Sequence, residues 1–206
     1  MRKKILVYGD SNTWGDNFLT GKRIDEEKQW VNILRKKYHQ EYVFFQEGLP
    51  GRLAGNEETV KKYKNGQDTF VATFKTNAPV DEIIISLGTN DLQLKYQRSS
   101  EKIIQDLLWY EHQLEEIFSD MEDREKYFNG IMPKIIYILP VNFDYQNNAK
   151  EIFDAKCEKK RQEIIEYFEK KNRNLVVSND IELLPDGIHL SDKGHETMAE
   201  LVEKVL

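Results

Sequence analysis

The chain has 206 residues, of which 39% are hydrophobic and 32% charged, a composition typical of one globular domain and not of a disordered chain. Its formal net charge of -6 argues against binding to the phosphate backbone of nucleic acids, and no apolar run is long enough to cross a membrane. Strand-like sequence begins at Lys4, which leaves no room for a signal peptide, and the single Cys157 cannot form an internal disulfide. We therefore expect a cytoplasmic protein.

Strand-like and helical segments alternate along the chain. Five apolar segments have the length of strands, and the third and fourth are near-continuous isoleucine runs, as in parallel strands buried on both faces. They lie at Lys4–Tyr8, Tyr42–Gln46, Glu82–Leu87, Lys134–Leu139 and Leu175–Ser178. Helical patterns lie at Glu27–Tyr38, Asn56–Tyr63, Asp68–Thr76, Glu101–Ser119, Lys150–Lys171 and Asp192–Lys204. The alternation predicts an α/β fold, doubly wound around one parallel sheet, in a single domain over residues 1–206.

Two basic stretches, at residues 35–37 and 159–161, carry helical spacing and acidic neighbours. We interpret both as solvated helix faces and not as binding patches. Cys157 lies on the apolar stripe of its helix, where we expect an inert core thiol.

Polar and glycine-rich loops follow four of the predicted strands. Ligands of open parallel sheets bind at the carboxyl ends of the strands, so these loops are the expected place for a site. They are Gly9-Asp10-Ser11-Asn12-Thr13-Trp14-Gly15, Glu47-Gly48-Leu49-Pro50-Gly51-Arg52, Gly88-Thr89-Asn90-Asp91 and Asp186-Gly187-Ile188-His189.

The loops contain the side chains that nucleophilic catalysis requires. Ser11 could act as the nucleophile, with His189 as its base and Asp186 as the group that orients the imidazole. The backbone N–H groups of Ser11 and Gly51 and the side-chain amide of Asn90 could donate to an oxyanion. Taken singly, each residue is more simply explained by a turn or a helix cap. Their joint placement at one edge favours the catalytic interpretation.

The four loops, in this order, resemble the motif blocks of the SGNH hydrolase superfamily, also called the GDSL esterase/lipase family. The resemblance covers residues 4–205 and assigns to Ser11, Asp186, His189, Gly51 and Asn90 the roles given above. It implies a flavodoxin-like three-layer α/β/α sandwich with a five-stranded parallel sheet, and a serine esterase mechanism that needs no metal or cofactor.

Within the superfamily, the loop sequences look most like the arylesterase/acyltransferase and carbohydrate-deacetylase branch. Asn12 stands where the family name has leucine, which leaves the catalytic assignment intact. Members of this branch often oligomerise, so a homo-oligomer is an open alternative to a monomer.

A second Asp-x-x-His pair, Asp192 and His195, repeats the spacing of Asp186 and His189. Ser191 and Asp192 have the character of a helix cap and first turn, so the spacing of the second pair follows from helix geometry. We therefore assign the base to His189.

Two further residues of these loops, Trp14 and Arg52, lie close in sequence to the proposed catalytic groups and are predicted to line the acyl or leaving-group pocket. For Trp14, ordinary packing is the alternative. No cluster of histidines and cysteines has zinc-ligand spacing, so we expect no metal. The loops Asp16–Gln29 and Met121–Pro133, which determine substrate choice, are rich in charge and are expected to be hydrated.

The expected activity is a serine esterase that removes a short acyl group, such as acetyl, from a small alcohol, phenol or sugar. The expected partner is thus a small-molecule ester. Lysophospholipase or thioesterase activity is the alternative within enzymes. A non-catalytic flavodoxin-like binding module is less favoured, because such a module has no use for the Asp186–His189 loop.

Overall fold

The computed structural model describes residues 2–171 and 173–206. Its main sheet has five parallel strands, in the order β4-β1-β5-β6-β7. The strands are β1 (Lys3–Gly9), β4 (Tyr42–Gly48), β5 (Glu82–Ser86), β6 (Lys134–Ile138) and β7 (Leu175–Val176); β2 (Asp16–Asn17) and β3 (Lys22–Arg23) form a separate antiparallel hairpin. Strand β4 pairs with one edge of β1, and β5 pairs with the other edge. This is the flavodoxin-like order, and it confirms the predicted fold class.

Helices cover both faces of the sheet because side chains alternate along each strand. Ile5 and Val7 of β1 face the layer of α2 and α7, whereas Leu6 and Tyr8 face the layer that contains α3, α4 and α6. The helices are α1 (Ser11–Trp14), α2 (Trp30–Lys37), α3 (Gly66–Asn77), α4 (Ser100–Ser119), α5 (Met121–Phe128), α6 (Ala155–Lys170) and α7 (Asp192–Glu203). In the part of the chain that the structure describes, no helix is long and apolar enough to cross a membrane.

The predicted helix at Asn56–Tyr63 is wrong. This segment is irregular and ends in a single 3-10 turn at Lys62–Lys64. Within the segment the backbone makes one long hydrogen bond, from Val60 N–H to Glu57 O at 3.4 Å, and at its end Leu53 N–H donates to Lys64 O at 2.9 Å. The buried Asn65 side chain also accepts from Glu57 N–H at 3.0 Å. These tertiary hydrogen bonds override the local helical pattern.

A helix not expected from the sequence, α5, lies at the start of the segment Met121–Pro133. The Asp120 side chain caps it by accepting from Asp123 N–H at 2.9 Å, and Phe128 anchors its last turn in the core. Only the remainder of that segment is a loop.

Helix α6 differs from the prediction in its start and in its buried face. It begins at Ala155 and not at Lys150, because the Asp154 side chain accepts hydrogen bonds from two N–H groups of the first turn. Arg161 is buried and not solvated, with only 1% of its surface exposed. Its guanidinium donates to Pro140 O at 2.9 Å and to Ser178 O at 2.6 Å. It thus joins the segments that follow β6 and β7.

Candidate active site

The loops that follow β1, β4 and β5 meet at the carboxyl edge of the sheet, on both sides of the point where the strand order reverses. Two glycines let α1 rest directly on the strand ends. A Cβ atom at Gly9 would lie 2.0 Å from Thr13 Oγ1, and one at Gly48 would lie 2.4 Å from Trp14 N. Any larger residue at either position would push α1 away from the sheet.

Ser11 is the first residue of α1 and lies directly beyond β1. The preceding residue, Asp10, caps this short helix by accepting from Asn12 N–H at 3.0 Å. The Ser11 side chain is largely buried, with 6% of the residue exposed. Burial raises the pKa of Asp10 to about 6, although the hydrogen bond from Asn12 opposes this shift.

Asp186 and His189 form a close pair on the loop before α7. His189 Nδ1 lies 2.5 Å from Asp186 Oδ2, and the other carboxylate oxygen accepts from the N–H groups of Ile188 and His189, at 3.1 Å each. Burial tends to raise the pKa of Asp186, but these hydrogen bonds together hold it below its usual value. The carboxylate therefore stays ionised and fixes the orientation of the imidazole.

Asn12 ties this loop to the turn that carries Ser11, a contact that sequence reasoning missed. Its Oδ1 accepts from Leu190 N–H at 3.0 Å, and its Nδ2 donates to Ile188 O at 3.4 Å. The two bonds bracket His189 from both sides along the chain. Asn12 therefore sets the position of the histidine relative to the serine.

Asp16 is a second neighbour of His189 that the sequence did not indicate. Its Oδ2 lies 3.8 Å from His189 Nε2, the ring nitrogen opposite Asp186. Among the hydrogen bonds of residues 2–171 and 173–206, none joins Ser11 Oγ to His189. Contacts between a nucleophile and its base are often loose without substrate and tighten on binding.

The three expected oxyanion donors differ in how they are held. Within the described residues, the N–H groups of Ser11 and Gly51 have no acceptor and are free to donate. Gly51 has φ = +75°, a conformation that favours glycine. The Asn90 amide is fixed on both sides, since its Nδ2 donates to Arg52 O at 3.1 Å and its Oδ1 accepts from Gln93 at 2.9 Å.

Comparison with protein families gives one match, GDSL-like lipase/acylhydrolase, over residues 5–202. The chain belongs to this family. It is therefore an ester-hydrolysing enzyme. No curated protein sequence matches it.

Solved structures of the same fold are similar over their whole length. A carbohydrate acetylesterase family member from Sinorhizobium meliloti is 20% identical, with a TM-score of 0.80 and coverage of 98% of this chain and 96% of that one. The aryl esterase of M. smegmatis is 20% identical, with a TM-score of 0.78 and coverage of 99% and 100%. A lipase/acylhydrolase from Enterococcus faecalis is 19% identical, with a TM-score of 0.70 and coverage of 99% and 94%. At this level of identity the likeness concerns the fold.

A buried ion network lies beside Gly51 and Asn90 in this GDSL-like hydrolase. Asp91 is fully buried, accepts from Ala54 N–H at 2.7 Å and pairs with Arg98. Arg98 also pairs with Asp106 of α4 at 2.8 Å. The network thus fastens the loop after β4, which carries Gly51, to the loop after β5.

Arg52 of this hydrolase is buried. It is 6% exposed, stacks on the Tyr8 ring at 4.0 Å and donates to Gly9 O at 2.9 Å, so its guanidinium braces the strand ends from inside. Trp14 is half-buried, and the Arg23 guanidinium lies 5.5 Å from the centre of its ring. Substrate contact by Arg52 or Trp14 stays a prediction, and the buried contacts of Arg52 give it a packing role as well.

His195 lies in the first turn of α7, as expected, and is 1% exposed. Its Nδ1 accepts from Trp30 N–H at 3.4 Å. Burial lowers the pKa of its imidazole to about 4, so the ring is neutral and serves in packing.

Proposed function

We propose that the protein is a serine esterase that hydrolyses short-chain acyl esters, acetyl esters among them, of small alcohols, phenols or sugars. The observation that carries the proposal is the double hydrogen bond of Asn12. It fastens the Asp186–His189 pair to the turn that presents Ser11. This contact supports the joint action of Ser11, His189 and Asp186, which come from opposite ends of the chain.

The reaction follows from these positions. His189 Nε2 takes the proton of Ser11 Oγ while that oxygen bonds to the ester carbonyl carbon. The N–H groups of Ser11 and Gly51 and the amide of Asn90 donate to the oxyanion. His189 then returns the proton to the departing alcohol, which leaves an acyl group on Ser11. Water, deprotonated by His189, attacks this acyl group and releases the carboxylic acid and free Ser11.

Labelling with a fluorophosphonate probe tests the proposal directly. The folded protein should form a covalent adduct on Ser11 and hydrolyse p-nitrophenyl acetate. Ser11→Ala should abolish the adduct, while Ser119→Ala, which removes an exposed hydroxyl at the end of α4, should leave labelling and turnover unchanged. His189→Ala should lower kcat by about 10⁴-fold or more, because nucleophile and base act as a unit.

The same assays decide whether Asn90 belongs to the oxyanion hole. Asn90→Ala should lower kcat by about 10² to 10³ with little change in KM, since the donor matters once negative charge develops. Folded wild-type protein that neither reacts with the probe nor hydrolyses any ester would overturn the proposal.

A further inference from the structure

An open cavity of about 240 Å³ adjoins the oxyanion side of the site. Gly51 and Asn90 both line it, and the rest of its wall comes from the loops after β4 and β5. Three lysines, Lys61, Lys64 and Lys95, belong to this wall. The cavity thus combines two of the proposed oxyanion donors with three ammonium groups.

Lys64 lies against Gly51, one of the proposed oxyanion donors. Its Nζ is 2.8 Å from the point where a Cβ atom on Gly51 would lie, so the ammonium group lies in the space that a side chain at this position would need. The backbone of Lys64 is fixed in place, because Lys64 O accepts from Leu53 N–H at 2.9 Å. Lys61 and Lys95 rest above the rings of Tyr63 and Tyr96, at 5.9 Å and 4.7 Å from the ring centres.

The charge of this cavity is not neutralised by the protein. Among the described residues that line it, none is acidic, and the ion pairs of the described chain do not include Lys61, Lys64 or Lys95. The whole chain carries a net charge of -6, so a cluster of three free lysines departs from the charge of the rest of the molecule. Such a cluster attracts an anion.

We propose that the cavity binds a negatively charged group, a carboxylate or a phosphate, on the alcohol part of the ester substrate. This inference rests on the proposed esterase function and narrows it to esters of acidic phenols or sugars. The lysines contact the charged group equally before and during the reaction, so they lower KM and leave kcat unchanged.

A matched pair of substrates tests the inference. The substrate 3-acetoxybenzoate carries a carboxylate, and 3-acetoxybenzamide carries a neutral amide of the same shape, so release of the phenol reports the effect of charge. We expect kcat/KM to be about eightfold higher for the carboxylate, the product of three exposed charge contacts worth about twofold each. The preference should shrink as salt concentration rises, because salt screens exposed charges.

The variant Lys61→Gln/Lys64→Gln/Lys95→Gln should remove this preference through KM, so that the ratio of kcat/KM for the carboxylate to kcat/KM for the amide falls to about one. The control Lys36→Gln/Lys126→Gln/Lys156→Gln changes the net charge equally at exposed positions on three other helices and should keep the preference. Replacing the carboxylate by a phosphate, in 3-acetoxyphenyl phosphate, then shows which anion fits better.

Equal rates on the charged and neutral substrates would overturn the inference, as would a preference that survives in the first triple variant. Failure of the esterase function is a separate outcome, recognised by the absence of a Ser11 adduct and of turnover on any ester. In that case, calorimetry with 3-hydroxybenzoate still measures whether the cavity binds an anion. Binding of 3-hydroxybenzoate by the Ser11→Ala variant, and loss of this binding when the three lysines are also replaced by glutamine, would support the anion site. Absence of binding would refute it.

Discussion

The imidazole of His189 is surrounded by carboxylates. Asp186 lies beside Nδ1 and Asp16 beside Nε2. Asp10, the residue before Ser11, adds a third negative charge. Burial is the largest single influence and lowers the pKa of His189. The hydrogen bond and charge of Asp186, with the charges of Asp16 and Asp10, outweigh it and raise this pKa above 6.5. Because a protonated imidazole cannot act as a base, activity should fall as the pH decreases through the raised pKa.

Asp16→Asn should move this acidic limit of activity to lower pH. The change removes a negative charge close to Nε2, so the imidazole stays neutral in more acidic solution. The pH dependence of kcat/KM for p-nitrophenyl acetate measures the shift. Asp25→Asn, on the same loop and paired with Lys28, is the control and should leave the profile unchanged. Both variants retain Asp10, whose own pKa is about 6. An unchanged profile in Asp16→Asn would show that Asp16 does not influence the base.

Asn12 offers a test of how positioning contributes to turnover. Asn12→Leu removes both bonds to the His189 loop and leaves Leu190 N–H unpaired, at a cost of about 1–3 kcal/mol in the free energy of unfolding. We expect kcat to fall by about tenfold with KM little changed, since the reacting atoms are less well aligned.

Asn142 provides a matched control for Asn12. It makes the same pair of bonds, to Ile181 N–H and O at 3.0 Å each, in another loop. Asn142→Leu should lose a similar free energy of unfolding and keep its kcat. An equal loss of kcat in both variants would assign the effect of Asn12 to stability alone.

At the scale of elements, the Asp91–Arg98–Asp106 network joins the loop after β4 to α4. Asp91→Ala leaves the Arg98 charge partly uncompensated in the interior and should lower the free energy of unfolding by about 3–5 kcal/mol in urea denaturation. Lys102 pairs with Asp106 from the surface, with 54% of its side chain exposed, so Lys102→Ala should cost less than about 1 kcal/mol. Similar losses of unfolding free energy in Asp91→Ala and Lys102→Ala would show that burial does not determine how much an ion pair of this network contributes.

The sequence predicts some of the secondary-structure elements correctly and others wrongly. The buried isoleucine runs of β5 and β6 and the apolar stripe of α4 follow local periodicity, which the sequence displays. Asn56–Tyr63 has a helical pattern, yet hydrogen bonds to Leu53 and Asn65 determine its path, and such contacts leave no local signature.

In the candidate site, too, some features can be deduced from the sequence and others cannot. The sequence places Ser11 and Asn90 at one edge of the sheet because each lies in a loop that follows a strand, and it places His189 in an Asp-x-x-His loop. The role of Asn12 depends on Leu190, at the far end of the chain, and that of Asp16 on the path of the β2–β3 hairpin. Neither contact can be deduced from spacing.

At the scale of the whole molecule, the surface near the site is less uniformly polar than the sequence suggested. Phe18 and Leu19, 60% and 62% exposed, lie in the turn of the β2–β3 hairpin, two and three residues beyond Asp16. The Asp16–Gln29 loop, expected to be hydrated, therefore also carries two exposed apolar side chains at this turn. An exposed apolar pair could contact a long acyl chain.

We expect kcat/KM on p-nitrophenyl esters to be highest at or below about four acyl carbons and to fall steeply by about eight. Each added methylene contributes about 0.8 kcal/mol only where an apolar wall buries it. The cavity beside Gly51 and Asn90 is small and lined by lysines, and two side chains on an open hairpin leave most of a long chain in water. Phe18→Ser/Leu19→Ser should accordingly leave butyrate hydrolysis unchanged. Rates that rise through the decanoate ester, with activation at lipid interfaces and loss of both in this double variant, would contradict the expectation. They would assign the hairpin to acyl binding and favour lysophospholipase activity.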